Sequence, residues 1–366
     1  MRNTISEALY AAPRLTAALA AALLMVGCQS MGPGTVPRDR TNYADAIAGS
    51  WKEQALLNVV RLRYFDTPVL LDVSSVISSY TLQGEVNAQQ RVYGSSSSIV
   101  KEPIRSLGIS GTYTDRPTIT YTPVSGKKYS ESLLRPIPPQ AVLAMIQAGH
   151  PADFILSLAV RGINGVFNYS ASPARTRPED EAFRRVINAI RRIQQAEALD
   201  VRFEKRGAED VSLISFHQGI SPSVDKDIRF VKETLKIDPD SKELAVTFGS
   251  APRGRGEIAL LTRSMWEIMA ELSAGVEVPQ QDLADGSATA APAPGTTRRE
   301  MPIAHIYSST EPPQDAYIAV RYQDHWFWIS NRDLKSKRVF TFLMVFSSIA
   351  ETGAAPQIPV VTIPAN

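Results

Sequence analysis

The chain has a single cysteine in 366 residues. An intrachain disulfide is therefore excluded, and so is any metal cluster built on cysteine thiolates. Histidine is nearly as scarce: the four at positions 150, 217, 305 and 325 show no metal-ligand spacing and no His-Glu-x-x-His. A surplus of one charge is missing too. With a formal net charge of +2 and 21% charged residues, the chain has no electrostatic footing for nucleic acid. The apolar run at residues 15–27 is thirteen residues long, short of the about twenty that a membrane-spanning helix needs.

Catalytic motifs are equally thin. Gly108-Ile109-Ser110-Gly111 approaches a nucleophile elbow, but Thr112 stands where the last motif glycine belongs. Ser-x-x-Lys occurs at Ser98/Lys101, Ser125/Lys128 and Ser223/Lys226 without a companion Lys-Thr-Gly, and no phosphate-cradling glycine loop is present. The expectation is a protein that is not an enzyme, with a periplasmic hydrolase whose site assembles only in three dimensions as an alternative. No metal and no dissociable cofactor is expected.

What the sequence does carry begins at its N-terminus. Arg2 and Arg14 precede the apolar run, and Met25-Val26-Gly27-Cys28 closes it. A positive segment, a short apolar segment and a small residue before a cut read as a secretory signal. The segment resembles the bacterial lipobox read by signal peptidase II, with Met25 where leucine is common. That resemblance implies cleavage before Cys28, with covalent diacylglycerol and an acyl chain on Cys28 and a membrane contact through that lipid. Two or more chains hold a protein stably at a membrane. Gln29, not aspartate, follows the cysteine; by the same resemblance this implies the periplasmic face of the outer membrane, with the inner membrane as the alternative. Losing residues 1–27 leaves 339 residues with net charge +1.

The mature chain reads as α+β, an irregular mix of antiparallel strands and amphipathic helices with a long β-hairpin near residues 76–121. Residues 28–40 are expected as a flexible tether, 41–278 as the main domain, 279–302 as a disordered linker or loop, and 303–366 as a hairpin and helix packing on the main domain. A helix is expected over 41–63 with Trp51 in the core, others near 138–146, 151–161, 178–193, 224–236 and 257–273, and one over 334–350. Strands are expected near 201–205, 211–216, 244–248, 303–307, 317–322 and 326–330, and an edge strand near 359–364.

Two features suggest partners. Arg184, Arg185, Arg191 and Arg192 repeat at a spacing of seven on one helix and form a candidate contact for an anionic surface, against the alternative of a solvated, ion-paired face. The hairpin alternates over a length sufficient for a membrane strand, about nine to eleven residues. One hairpin closes no barrel, so several copies would each contribute one. In this organisation, though in no shared motif, it resembles the lipoprotein secretion pores of curli export. Residues 36–88, Asp115-Arg116-Pro117-Thr118-Ile119-Thr120-Tyr121 and Thr262-Arg263-Ser264 resemble a family of proteobacterial lipoproteins with no established activity. The expectation is thus a lipid-anchored, periplasm-facing envelope protein with a structural or macromolecule-binding role, its partner another envelope protein or a further copy of itself. An oligomeric outer-membrane pore or secretion component built on the hairpin is the alternative.

Overall fold

The computed structural model describes residues 31–77, 80–91, 104–115, 118–172, 175–206, 209–288 and 302–351. Along the chain the elements are α1 (Met31–Arg63), β1 (Leu71–Ile77), β2 (Tyr80–Arg91), β3 (Ile104–Asp115), β4 (Thr118–Pro123), α2 (Gly126–Leu133), α3 (Pro139–Gln147), α4 (Ala152–Ala159), β5 (Val160–Ile163), β6 (Val166–Phe167), β7 (Ser170–Ser172) and β8 (Arg175–Arg177). There follow α5 (Glu181–Gln195), β9 (Leu199–Arg206), β10 (Glu209–Phe216), α6 (Pro222–Thr234), β11 (Glu243–Phe248), β12 (Glu257–Thr262), α7 (Met265–Ser273), α8 (Gln280–Ala284), β13 (Tyr307–Ser309), β14 (Ala316–Tyr322), β15 (His325–Ser330) and α9 (Leu334–Glu351). The strand expected near 359–364 lies outside the described residues.

The chain divides into two compact units, Met1–Trp51 and Lys52–Asn366. The described part of the first is helical, and residues 40–46 are mostly exposed. The expected flexible tether is therefore corrected from residue 31 onward: α1 takes it in. Pro33 falls in the first turn, where its missing N–H leaves no helix bond unmade, whereas Pro37 lies a turn deeper and removes one. Trp51 is corrected as well, being 40% exposed, not core. The buried stripe of α1 starts at Leu56 and runs through Val59, Val60 and Leu62; period alone does not say where along a helix its cover begins.

The second unit is α+β. Its main sheet has the order β6-β5-β12-β11-β10-β9, antiparallel throughout except for the β11–β12 pair. Helices α3 to α6 supply its cover. Leu143, Ile146, Leu156, Val231 and Leu235 meet Ile163, Ile214, Ile258 and Leu260 around a void of only about 30 Å³, the tight fit expected of a protein interior. The α5 stripe of Phe183, Val186, Ile187 and Ile193 is fully buried, as its spacing predicts.

Residues 257–273 depart from the expected single helix. Residues 257–262 form β12, and the helix starts only at Met265. A short apolar run such as Ile258-Ala259-Leu260-Leu261 has no period that separates a buried strand from a helix. The true start is marked by a capping box: the Glu267 N–H donates to Ser264 Oγ while the Ser264 N–H donates to Glu267 Oε2. Between strand and helix sits Arg263, fully buried. Its guanidinium donates to the carbonyls of Ser157 and Leu158 at 3.0 Å and of Tyr169 at 2.7 Å, and lies 3.7 Å from Glu271. Glu271 in turn accepts from the Ala171 N–H at 2.8 Å and from the Ser170 hydroxyl. A cation here closes the C-terminal end of α4, where helix carbonyls have no partner of their own.

The third layer is the sheet β13-β15-β14 with α9. Phe327 and Ile329 of β15 and Phe340, Leu343 and Phe346 of α9 are buried in the same core as the main sheet and its helices, so the C-terminal region is part of one unit. The expected linker at 279–302 opens with the short helix α8, and residues 289–301 lie outside the described residues. Its ends meet where Val276 bridges Ile306. A Cβ on Gly275 would stand 1.9 Å from the Ala304 carbonyl oxygen, so only glycine permits that approach. A tyrosine cluster ties α1 to this layer: Tyr64 donates to Asp282 at 2.6 Å, Tyr322 donates to Asp66, and the two rings lie 5.1 Å apart.

Arg263→Leu is expected to cost about 3–5 kcal/mol, because it removes the buried cation beside Glu271 and the guanidinium donors to the Leu158 and Tyr169 carbonyls; urea unfolding monitored by circular dichroism checks this. Burial first, then the hydrogen bond to Asp66, pushes Tyr322 up to about 12 from the ordinary 10.0. The folded state thus favours the neutral phenol. Its contribution is complete below pH 10 and is lost as pH rises toward 12; ultraviolet titration of wild type against Tyr322→Phe should show one late-ionising tyrosine disappear.

Candidate functional site

The hairpin expected near 76–121 falls on two antiparallel strand pairs, β1–β4 and β2–β3, within Leu71–Pro123. Strands β2 and β3 pair in unbroken antiparallel register through twelve residues each, from Tyr80↔Asp115 to Arg91↔Ile104. Below them β1 and β4 pair from Ile77↔Thr118 down to Leu71↔Pro123, with one irregularity between Val73 and Ser75. At about 3.3 Å per residue β2 and β3 are each roughly 40 Å long. Among the described residues neither β2 nor β3 has a second neighbouring strand. All six residues of β4 are exposed, as are Gln83, Asn87, Gly108, Ser110, Gly111 and Thr112.

The register brings like with like. Leu82 lies opposite Tyr113, Gly84 opposite Gly111, Val86 opposite Ile109 and Ala88 opposite Leu107. By the period of two, these positions share one face. The other face holds Thr81↔Thr114, Gln83↔Thr112, Glu85↔Ser110, Asn87↔Gly108 and Gln89↔Ser106. Between Thr81 and Gln89 one face is apolar or small and the other is polar with a single charge, while Asp115, Arg105 and Arg91 stand at the ends. A two-stranded sheet by itself is marginal in water, and unpaired N–H and C=O groups at a strand edge invite pairing.

The root of the ribbon is held by side-chain amides that imitate a strand. On α1, Asn58 donates to the Val69 carbonyl at 2.8 Å and accepts from the Val69 N–H at 2.9 Å. One turn earlier Gln54 accepts from the Leu71 N–H at 2.6 Å and donates to the Leu71 carbonyl at 3.3 Å. Residues four apart on a helix thus meet residues two apart on an extended chain. From the other side, the Val124 N–H donates to the Leu70 carbonyl, Lys128 pairs with Asp72 at 2.7 Å and the Tyr129 hydroxyl donates to Pro68.

The arginines of α5 divide between two flanks. Arg184 pairs with Glu179 at 2.8 Å and lines a cavity of about 320 Å³ that it shares with Arg263, Glu271 and Lys335. Arg191 lies 3.9 Å from Asp153 and donates to Gln194. On the other flank Arg192 makes two 2.7 Å bonds to Asp227, and Arg185 stacks on the Phe230 ring. Arg185 and Arg192 line an open cleft of about 760 Å³ with Ser221, Ser223 and Lys226. Each arginine thus meets a carboxylate, an amide or a ring. Burial lowers the pKa of Arg263, and Glu271 and Glu267 oppose that shift.

The remaining sequence candidates do not converge. Met25, Val26, Gly27 and Cys28 lie outside the described residues, as do Ser98 and Lys101. Ser110 sits in the middle of β3, not on a strand-to-helix turn. Lys128 is committed to Asp72, and Ser223 bonds to Ser221. His150 packs edge-on against Phe342, His305 pairs with Glu277, and His325 follows the Gln323–Asp324 turn of the β14–β15 hairpin. No group of three or more potential metal ligands occurs among the described residues. No described helix is long and apolar enough to cross a membrane.

Asn58→Leu is expected to cost about 1–3 kcal/mol, since it strands two backbone groups of Val69 while keeping the side-chain volume. Hydrogen exchange at the Val69 amide should accelerate in that variant ahead of the amides of the main sheet.

No protein-family model, no curated protein and no solved structure matches this chain.

Proposed function

We propose that the chain is a lipid-held, periplasm-facing component of the cell envelope, attached to the outer membrane through Cys28, with a non-enzymatic role, and that it binds another macromolecule through the β1–β4 ribbon. The observation that carries this reading is a long two-stranded ribbon whose strands have no further strand beside them among the described residues. Strand addition at such an edge supplies affinity from backbone bonds, and alternate side chains supply the choice of partner. The clamp of Gln54 and Asn58 supports it further, because it joins the ribbon to the helix that leads back to the anchor. The lipid claim rests on the lipobox resemblance of Met25-Val26-Gly27-Cys28.

Two variants test the two halves separately. Cys28→Ser is expected to leave the membrane fraction and to keep an unprocessed N-terminus by mass spectrometry; unchanged attachment would end the anchor reading. Because Ile77 and Thr118 stand opposite each other, residues 78–117 can be replaced by Asn-Gly with the stem left closed. That variant should keep the melting curve of wild type and lose the partner recovered by crosslinking in envelopes.

A further inference from the structure

We propose that the cavity of about 320 Å³ beside Arg263 binds a small organic monocarboxylate. Arg184 and Lys335 hold its carboxylate, and Phe154, Leu158, Ile303 and Val339 receive its hydrocarbon body. Neither the ribbon nor the anchor enters into this. The cavity lies within the second unit, where the helices of the main sheet meet the C-terminal layer. Phe154 and Leu158 belong to α4, Arg184 to α5, Glu271 to α7, and Lys335 and Val339 to α9. Its volume stands at the lower end of the range for small-ligand sites, about 300–1,000 Å³. It therefore suits a small molecule, not a whole lipid or a peptide. Apolar walls with a few placed charges are the lining that such sites have.

The charges select the ligand. Arg263 and Glu271 are the most deeply set of them, with side chains only 3% and 7% exposed. Both are committed: Arg263 donates to three carbonyls, and Glu271 accepts from Ser170 and Ala171. This floor fixes the shape of the cavity and needs no ligand to satisfy it. The donors still available lie nearer the surface. Arg184 gives its Nε and one Nη to Glu179, and its other Nη remains for a ligand. Lys335 donates to the Pro302 carbonyl at 3.1 Å, which uses one of its three protons. Of the three cations lining the cavity, Glu271 answers Arg263 and Glu179 answers Arg184. Lys335 has no carboxylate partner among the described residues, so one positive charge is left over. A single surplus charge beside apolar walls calls for a monoanion with a hydrocarbon body, and a carboxylate matches the arginine and lysine donors. A dianion would stay half unneutralised, and a second carboxylate at the far end of a ligand would be driven toward Glu271. Arg338, exposed and stacked on the Phe154 ring at 4.0 Å, does not line the cavity and adds only a screened attraction from outside.

The test titrates the full chain, purified in a non-ionic detergent at neutral pH, with octanoate in a calorimeter. Wild type is expected to give a saturable heat. Octanol, with the same hydrocarbon and no charge, reports partition into the detergent and should give none. Octanedioate should bind more weakly than octanoate by about tenfold or more. Lys335→Gln should weaken octanoate about tenfold, the loss of one charge-assisted hydrogen bond, and Lys335→Arg should restore it. Lys335 is exposed, so neither change disturbs the core. Ile303→Trp fills the cavity and should abolish binding; if it also lowers the melting curve, the two Lys335 variants decide. No saturable heat with octanoate overturns the site. Equal affinity in wild type, Lys335→Gln and Ile303→Trp places the ligand elsewhere and overturns it too. Tighter binding of octanedioate or octyl phosphate than of octanoate overturns the choice of a monocarboxylate.

Discussion

Every backbone N–H and C=O that a strand turns away from its neighbour must find a partner or stay in water. The ribbon poses that constraint in its plainest form, since two strands satisfy only the groups between them. Each strand of the β2–β3 pair is twelve residues long, and neither has a further strand beside it among the described residues. An ordinary edge strand is shortened, charged or bent away from trouble. Here Glu85 is the only charge on the polar face between Thr81 and Gln89, with Arg91 at its end, and nothing in the register interrupts the pairing. Such an edge is tolerable if it is meant to be covered.

Holding so long an element demands a stiff root, and the root is built without a third strand. Gln54 and Asn58 offer amide groups at the spacing a neighbouring strand would have used, which is why the extended chain at residues 69–71 can end against a helix. Behind that helix the tyrosine cluster connects Asp66 and Asp282 to β14, and the α1 stripe enters the common core. Force on the ribbon is therefore delivered to packed secondary structure, not to a loop. Arg263 plays the corresponding part inside the main domain, where it gathers the end of α4, residue Tyr169 and Glu271 at one point.

Much of this was legible in the residues. The amphipathic helices after Pro178 and Pro222 and the alternating hairpin follow from periods long enough to outvote local ambiguity. Failures came where the signal was short. Glu257-Ile258-Ala259-Leu260-Leu261-Thr262 fits strand and helix alike, although the Ser264-x-x-Glu267 capping box named the true helix start. Asn164-Gly165 is a strong hairpin signal: the two residues take φ of 48° and 82° between β5 and β6. No period marks that hairpin, because the flanking strands are too short to show one. The clamp had no sequence signature at all. A glutamine and an asparagine four apart on a helix are ordinary until the fold places an extended segment beside them.

What period two could not supply was the relation between the two strands of the hairpin. Each strand alternates by itself, and either of two registers would preserve that alternation; a slip of one residue would place Leu82 and Val86 on the face of Thr112 and Ser110. The observed register sets Val86 against Ile109 and Glu85 against Ser110. The ribbon thereby acquires two chemically distinct faces that neither strand has alone. A surface wetted on one side only would serve a soluble sheet, where a core covers the apolar face. Among the described residues neither β2 nor β3 pairs with a further strand. An apolar face set in this way can leave water only once the backbone groups at the strand edges have found partners of their own.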